Sequence, residues 1–325
     1  MSLRRIIIDT DPGIDDAMAI FYALASPELE VVGLTTVFGN AYVDACTENA
    51  LTLLDVAGRP DIPVAKGAAG PLHGTFSSPA GHVHGDDGQA NLFLPPPPNQ
   101  PIERSAAQFI VDTVMASPGE ITLVPVGPLT NIALAMMLEP RLTDHLAGIV
   151  LMGGNAFCPG NITPAAEANI FHDPEAADMV FGASCPVVMA GLDVTEATLM
   201  TNEQIAGLGS IPTERAQHLA RIVPFYLDFH HQHGRLDGIF VHDSTVVSWM
   251  IAPQHYRTVE LPVRVDCTDG ISRGKTWPAR LTTDDESAWA GRPAITILTE
   301  VDSTAVVALE LERLQLPLPD RAGGA

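Results

Sequence analysis

Short runs of Val, Ile and Leu alternate along the first two-thirds of the chain with stretches whose apolar residues recur every three or four positions. The runs Arg5–Asp9, Glu30–Val37, Ile121–Val126, Gly148–Met152 and Pro186–Ala190 predict strands, because apolar side chains at consecutive positions suit a strand buried on both faces. The stretches Ile14–Ala25, Asp44–Ala57, Ser105–Met115, Leu129–Leu138 and Pro174–Phe181 predict helices. Strand and helix in strict alternation mean βαβ units, hence an α/β fold with a mostly parallel central sheet flanked by helices. The order changes later. Residues 201–252 read as mainly helical, 258–301 as several strands with polar breaks, and Ser303–Leu314 as a closing helix. No shift in composition marks a second domain, so residues 1–315 are expected to form one domain and 316–325 to fray. Gly67–Pro101 is rich in Gly, Pro and His. A loop of that length is usually functional or disordered, and a mobile lid carrying a His is the expectation here.

The first predicted strand ends in the sequence Asp9-Thr10-Asp11-Pro12-Gly13-Ile14-Asp15-Asp16. Pro12-Gly13 makes the turn and Ile14 opens the helix. Four carboxylates therefore crowd the point where a strand's C-terminal end meets a helix N-terminus, which is where ligands collect in open α/β sheets. One Asp at a helix start is ordinarily an N-cap, but four on one bend repel each other and need a cation. All-oxygen donors without Cys or His favour a hard cation such as Ca²⁺ or Mg²⁺. Asp15 and Asp16 are about 100° apart around the helix and can face different partners, one a metal and the other a substrate hydroxyl.

Composition narrows the partners. The 325 residues include 17 Lys+Arg against 39 Asp+Glu, a formal charge of −22. That balance speaks against nucleic acid or an anionic membrane. No run approaches the roughly 20 apolar residues of a membrane span, and Asp9 and Asp11 end the N-terminal apolar run too early for a signal peptide. The four cysteines, Cys46, Cys158, Cys185 and Cys267, lie far apart without a CxxC pair. Reduced thiols in a cytoplasmic protein are expected.

Further along, His242-Asp243-Ser244 precedes a predicted helix. Asp243 could cap it, or could bind metal beside a titratable proton donor, His242. Asn161, Glu167 and Asn169 offer amide and carboxylate groups suited to sugar hydroxyls, although turn chemistry alone would account for Asn161. His82 and His84 lack an evident third zinc ligand. Phe225, Tyr226, Phe229, His230 and His233 recur at helical spacing, either as core with exposed His or as a wall on which a base could stack.

Taken together, Asp9–Asp16, Thr35–Asn40, Val124–Asn131, Met152–Asn155, Thr163–Asn169 and His242-Asp243 resemble the inosine–uridine-preferring nucleoside hydrolases, in that family's order and over nearly the whole chain. The DTDPGIDDA block is the most specific of these motifs. The resemblance implies a nucleoside hydrolase-like, open Rossmann-like fold and hydrolysis of a ribonucleoside to ribose and base. It implies a Ca²⁺ held by the side chains of Asp11, Asp16 and Asp243 and by the backbone carbonyl of Val126. Asp11 would also be the base acting on a water at that cation. Asp15, Glu167 and Asn169 would grip the ribose, with Asn161 near its 5′ end and Asn40 orienting water and sugar. His242 would be the candidate acid facing the base, with His84 reaching in from the long loop. A homodimer or homotetramer is implied as well. Three positions depart from the family's pattern: Val126 stands where Thr is common, Ala168 where an aromatic is common, and Phe225 and Phe229 where tyrosines are expected. Two other readings remain. Asp9-Thr10-Asp11 also resembles the motif of haloacid-dehalogenase-type phosphatases, with Asp9 as nucleophile and Mg²⁺ as cofactor. A non-catalytic nucleoside- or sugar-binding protein on the same scaffold is the other.

Overall fold

A computed structural model describes residues 3–233, 236–279 and 288–319. Its strands are β1 (Arg4–Thr10), β2 (Leu29–Thr36), β3 (Val64–Lys66), β4 (Ile121–Pro125), β5 (Gly148–Met152), β6 (Val187–Ala190), β7 (Leu199–Thr201), β8 (Gly238–Phe240), β9 (Tyr256–Leu261), β10 (Val263–Val265), β11 (Thr276–Pro278) and β12 (Ile295–Val301). Eight of them form one sheet in the order β3-β2-β1-β4-β5-β6-β12-β9. Every pairing in it is parallel except β12 with β9. The α/β class and mostly parallel sheet expected from the sequence are therefore present. β7–β8 and β10–β11 form two small antiparallel ladders beside the main sheet.

The inner strands of the sheet are largely apolar because they are covered on both faces, whereas the edge strand β9 is mostly exposed. Along β1, Ile6 and Ile8 enter one buried cluster with Met18, Phe21 and Leu219, while Ile7 enters the other with Leu123, Ile132 and Ile149. This pleat alternation turns a continuous Ile run into two-sided packing. The predicted helices appear at Ile14–Ala25, Val43–Val56, Ala106–Ala116, Thr130–Leu138 and Pro174–Val180, and the closing helix at Ser303–Gln315. Residues 201–252 are mainly helical, with Asn202–Gly207, Glu214–His233 and Ser244–Ile251, but also contain β8. The three-residue β3 is too short for a periodicity signal.

The chain runs outward from β1 through β2 to β3, then returns to the other side of β1 as β4. That reversal leaves a crevice beyond the C-terminal ends of β1 and β4, since neighbouring connections depart in opposite directions there. Asp11 follows β1 and Val126 follows β4 at this crevice. Within 67–101 the structure places a single helical turn at Gly81–His84, and a bridge between Ala65 and Ile102 joins the residues flanking the segment. Ala90 and Asn91 have φ of 60°. The Asp87 carboxylate compensates by accepting the backbone N–H groups of Gln89, Asn91 and Phe93 at 2.7, 2.9 and 2.7 Å. Of the tail expected to fray, residues 320–325 lie outside the described residues.

Candidate active site

The floor of the crevice is the turn from Asp9 to Asp16. Asp16 is the third residue of the Ile14–Ala25 helix, and its Oδ2 accepts the Gly13 N–H at 2.9 Å, closing the first turn. The same oxygen accepts from Asn40 Nδ2 at 2.9 Å, and Oδ1 accepts the Thr10 hydroxyl. Asn40 also donates its backbone N–H to Asp11 Oδ2 at 2.7 Å. One asparagine thus fixes two of the carboxylates. Asp11 fits because the neighbouring backbone is bare. A Cβ on Gly39 would lie 2.0 Å from Asp11 Oδ2, and one on Gly127 2.5 Å from Oδ1.

Asp11, Asp15, Asp16 and Asp243 are all buried. Carboxylate oxygens of Asp15, Asp16 and Asp243 come within 4.8 Å of one another. The resemblance puts Asp11 rather than Asp15 in the metal set, so the geometry brings together a somewhat different trio. Asp11 is their neighbour, and its carboxyl feels the charges of Asp16 and Asp15. At about 5 Å and an effective dielectric near 20, each like-charged pair costs roughly 3 kcal/mol. Desolvation chiefly, with this repulsion added, holds the Asp11 and Asp243 carboxyls well above the ordinary range. Desolvation likewise pushes Asp15 and Asp16 up to about 6. Asp11 Oδ1 and Asp15 Oδ1 are buried with no hydrogen-bond partner. Clustered carboxylates with orphaned oxygens need a cation or protons, and an all-oxygen set fits a hard divalent ion. Asp243 opens the Ser244–Ile251 helix but makes no side-chain cap bond, so capping does not account for it.

The wall beyond β4 and β5 carries the predicted sugar-binding residues. Glu167 is buried, and its carboxylate accepts the N–H groups of Gly154 and Ile170 on Oε2 and of Asn169 on Oε1. It is the N-cap of the Ala168–His172 helix, and burial pushes it up to about 6. Asn169 Nδ2 donates to the Val126 carbonyl at 2.9 Å. Asn161 is exposed, and its Oδ1 accepts the Ala168 N–H at 3.0 Å.

On the opposite side stand rings. His84 is buried, stacks on Tyr226 at 5.5 Å between centroids, and accepts the Ile14 N–H on Nδ1 at 3.2 Å. That bond leaves the proton of a neutral ring on Nε2. His84 Nδ1 also lies 3.9 Å from Asp15 Oδ1. His242 is half-buried, with Nδ1 2.8 Å from the Thr195 hydroxyl and its ring edge-on to Phe240. Burial lowers His84 to about 4 and His242 to about 3, so both rings are neutral near pH 7.

Two sequence expectations change. The Glu214–His233 helix does present a tyrosine here: Tyr226 is buried against His84, and its hydroxyl is raised by desolvation and by the charges of Asp15, Asp243 and Asp16. The phosphatase reading fails because Asp9 is no accessible nucleophile. It is fully buried below the floor, where Oδ1 accepts from Thr35 and from Asn131 Nδ2. Sequence reading also missed Thr195, a single hydroxyl with no local pattern that the short Leu192–Thr195 helix brings to His242. Thr10 was visible inside the aspartate block, but its bond to Asp16 was not.

A mostly parallel open sheet with a pit of buried carboxylates at its switch point is an α/β architecture with a site suited to a hard cation. Residues 6–308 match the family described as inosine-uridine preferring nucleoside hydrolase. The chain therefore belongs to that family and is a ribonucleoside hydrolase by class. It is 44% identical over 318 residues to a protein of Arabidopsis thaliana named "Probable uridine nucleosidase 2", covering 96% of this chain and 97% of that one. It is 41% identical over 275 residues to the inosine-uridine preferring nucleoside hydrolase of Leishmania major, covering 84% and 87%. A solved plant nucleoside hydrolase superposes with a TM-score of 0.93 at 38% identity, over 97% of this chain and 99% of that one.

Proposed function

We propose that the chain cleaves the N-glycosidic bond of ribonucleosides, with uridine among its substrates, using a Ca²⁺ held by Asp11, Asp16, Asp243 and the Val126 carbonyl. The observation that carries this reading is the pit of buried carboxylates with two orphaned oxygens at the sheet's switch point. Uridine is favoured by the names of relatives, which include uridine nucleosidases and a pyrimidine-specific ribonucleoside hydrolase.

Glycosidic bonds break through an oxocarbenium-like state that carries positive charge on the sugar. On this reading Asp15, Glu167 and Asn169 would face the ribose, and the two carboxylates would stabilise that charge. Asn161 would meet the 5′ end. Asn40 holds Asp11 through its backbone N–H, so the free Asp11 Oδ1 is aimed and available to take a proton from water. When bound, the cation supplies charge that acidifies water and keeps the carboxylates ionised. Thr195 can donate to His242 Nδ1, which would leave Nε2–H of the neutral ring to hydrogen-bond the departing base. His84 does the same from the loop side with its own Nε2–H. Tyr226 covers one face of the His84 ring.

The same reading makes residues 1–315 one catalytic domain, supported by a sheet whose strands span Arg4 to Val301. It makes the enzyme a cytoplasmic homodimer or homotetramer. Four free cysteines favour a reducing compartment, and no described helix is long and apolar enough to cross a membrane. The test is release of reducing sugar from inosine, adenosine, guanosine, uridine, cytidine, their deoxy analogues and nitrophenyl riboside, with and without chelator. Chelator-sensitive release from uridine is expected. Silence across the panel would overturn the reading and favour a binding protein.

A further inference from the structure

Gln89 is almost completely buried, yet it lies in a surface-running segment where a buried amide is unusual. Its side chain is fully engaged. Nε2 donates to the Gly13 carbonyl at 2.9 Å and the Gly88 carbonyl at 3.1 Å, with the Pro12 carbonyl at 3.4 Å. Oε1 lies 3.2 Å from Nε2 of His218, itself buried and edge-on to Phe21. Three segments of the site meet at this one carboxamide. Pro12 and Gly13 form the turn between Asp11 and Asp15. Residues 84–93 carry His84, whose carbonyl accepts the Ala90 N–H at 2.7 Å. His218 lies two turns before Tyr226 on the Glu214–His233 helix.

Asn49 reinforces the junction from the Val43–Val56 helix, its Nδ2 donating to the Pro12 carbonyl at 3.1 Å and the Asp87 carbonyl at 2.8 Å. The close approach requires a glycine at 88. Its φ is +78°, and a Cβ there would lie 2.9 Å from Asn49 Nδ2 and 3.1 Å from the Pro12 carbonyl. The Gln89 side-chain bonds go to backbone carbonyls and to His218, and none to a carboxylate of the pit, so the arrangement serves placement and not chemistry.

We propose that Gln89 is a positioning residue whose carboxamide clamps the His84 segment onto the Pro12–Gly13 turn and the Tyr226 helix, and so sets where His84 stands over the substrate. The inference rests on the reading of the pit as a nucleoside site. His84 is held in place by the Ile14 N–H and the Tyr226 ring. Both contacts depend on the distance between turn, loop and helix that Gln89 fixes. Loosening the clamp lowers the fraction of molecules with His84 in place, and apparent affinity falls by the same fraction.

Gln89→Leu keeps volume and removes every bond. The KM for uridine is expected to rise about tenfold or more, with kcat changed by less than about threefold. In a His84→Ala background the same substitution should leave KM unchanged, because the residue it positions is gone. An unchanged KM in Gln89→Leu, or an equal rise in both backgrounds, overturns the proposal. If Gln89→Leu does not fold, His218→Phe, which keeps the ring and removes the donor, is expected to raise KM in the same His84-dependent way, and an unchanged KM again refutes it. If the wild-type protein turns over no riboside, the functional reading fails by itself. The clamp is then read from amide hydrogen exchange at Ile14 and Ala90, which Gln89→Leu should accelerate, and unaltered exchange refutes it.

Discussion

Gly127→Ala tests the pit with a single methyl group. Gly127 follows β4, outside the positive-φ glycines, so adding a side chain there brings no backbone strain of that kind. The new Cβ would lie 2.5 Å from Asp11 Oδ1, 2.9 Å from Val37 Cγ1 and 3.0 Å from Asp11 Cγ. An ordinary carbon–oxygen contact needs about 3.4 Å, so the Asp11 carboxylate must retreat by about 0.9 Å. It cannot do so freely, because its Oδ2 is held by the Asn40 N–H. Misplacing a reacting group by about 1 Å costs on the order of 100-fold in rate, and the overpacking should cost about 1–3 kcal/mol of stability. The assay is kcat on uridine and on nitrophenyl riboside, with thermal unfolding alongside. Both substrates should lose activity alike, since Asp11 acts on water whichever base leaves. Gly207→Ala is the control, having nothing within 4 Å of its Cβ position. Turnover of Gly127→Ala within about threefold of wild type would refute the assignment of Asp11 Oδ1 as the working oxygen.

Three further outcomes are expected. Asp11→Asn should keep the fold but cut turnover by about 1,000-fold or more, because base and charged ligand go together; near-normal kcat would show that another group takes the proton. His242→Ala should slow natural nucleosides more than nitrophenyl riboside, whose leaving group needs little help, and an equal loss on both would remove His242 from leaving-group assistance. Stability should depend on pH and metal together. In metal-free protein Asp16 is raised from 3.8 to about 6, so its proton is held more tightly folded than unfolded. Its contribution of roughly 3 kcal/mol is full below about pH 4 and lost as pH rises through about 6. Ca²⁺ offsets that loss by favouring the ionised form, so its effect on Tm should be larger near pH 7.5 than near pH 5 by roughly 5 °C for a chain of this length. An equal effect at both, read by calorimetry, would contradict the metal assignment.

The sequence by itself determined the layered sheet and the location of its chemistry. The run Ile6-Ile7-Ile8 before the Pro12-Gly13 turn reads as a strand covered on both faces, and four aspartates crowded at its end need a cation or protons. Those are local facts of periodicity and charge, complete within a few neighbours. The partners that join the carboxylates to the rest of the site were not local. Asn40 fixing both Asp11 and Asp16, Thr195 holding His242 and Gln89 joining turn, loop and helix all bring together residues 24 to 129 positions apart. Single polar side chains carry no period, so only the packed sheet and its reversal at β1 and β4 decided which of them meet. Tyr226 makes the same point. Its helical spacing was visible, but which of three neighbouring aromatics turns toward the aspartates depends on how the Glu214–His233 helix sits against the Ile14–Ala25 helix, and that angle is set by side-chain packing across the whole core.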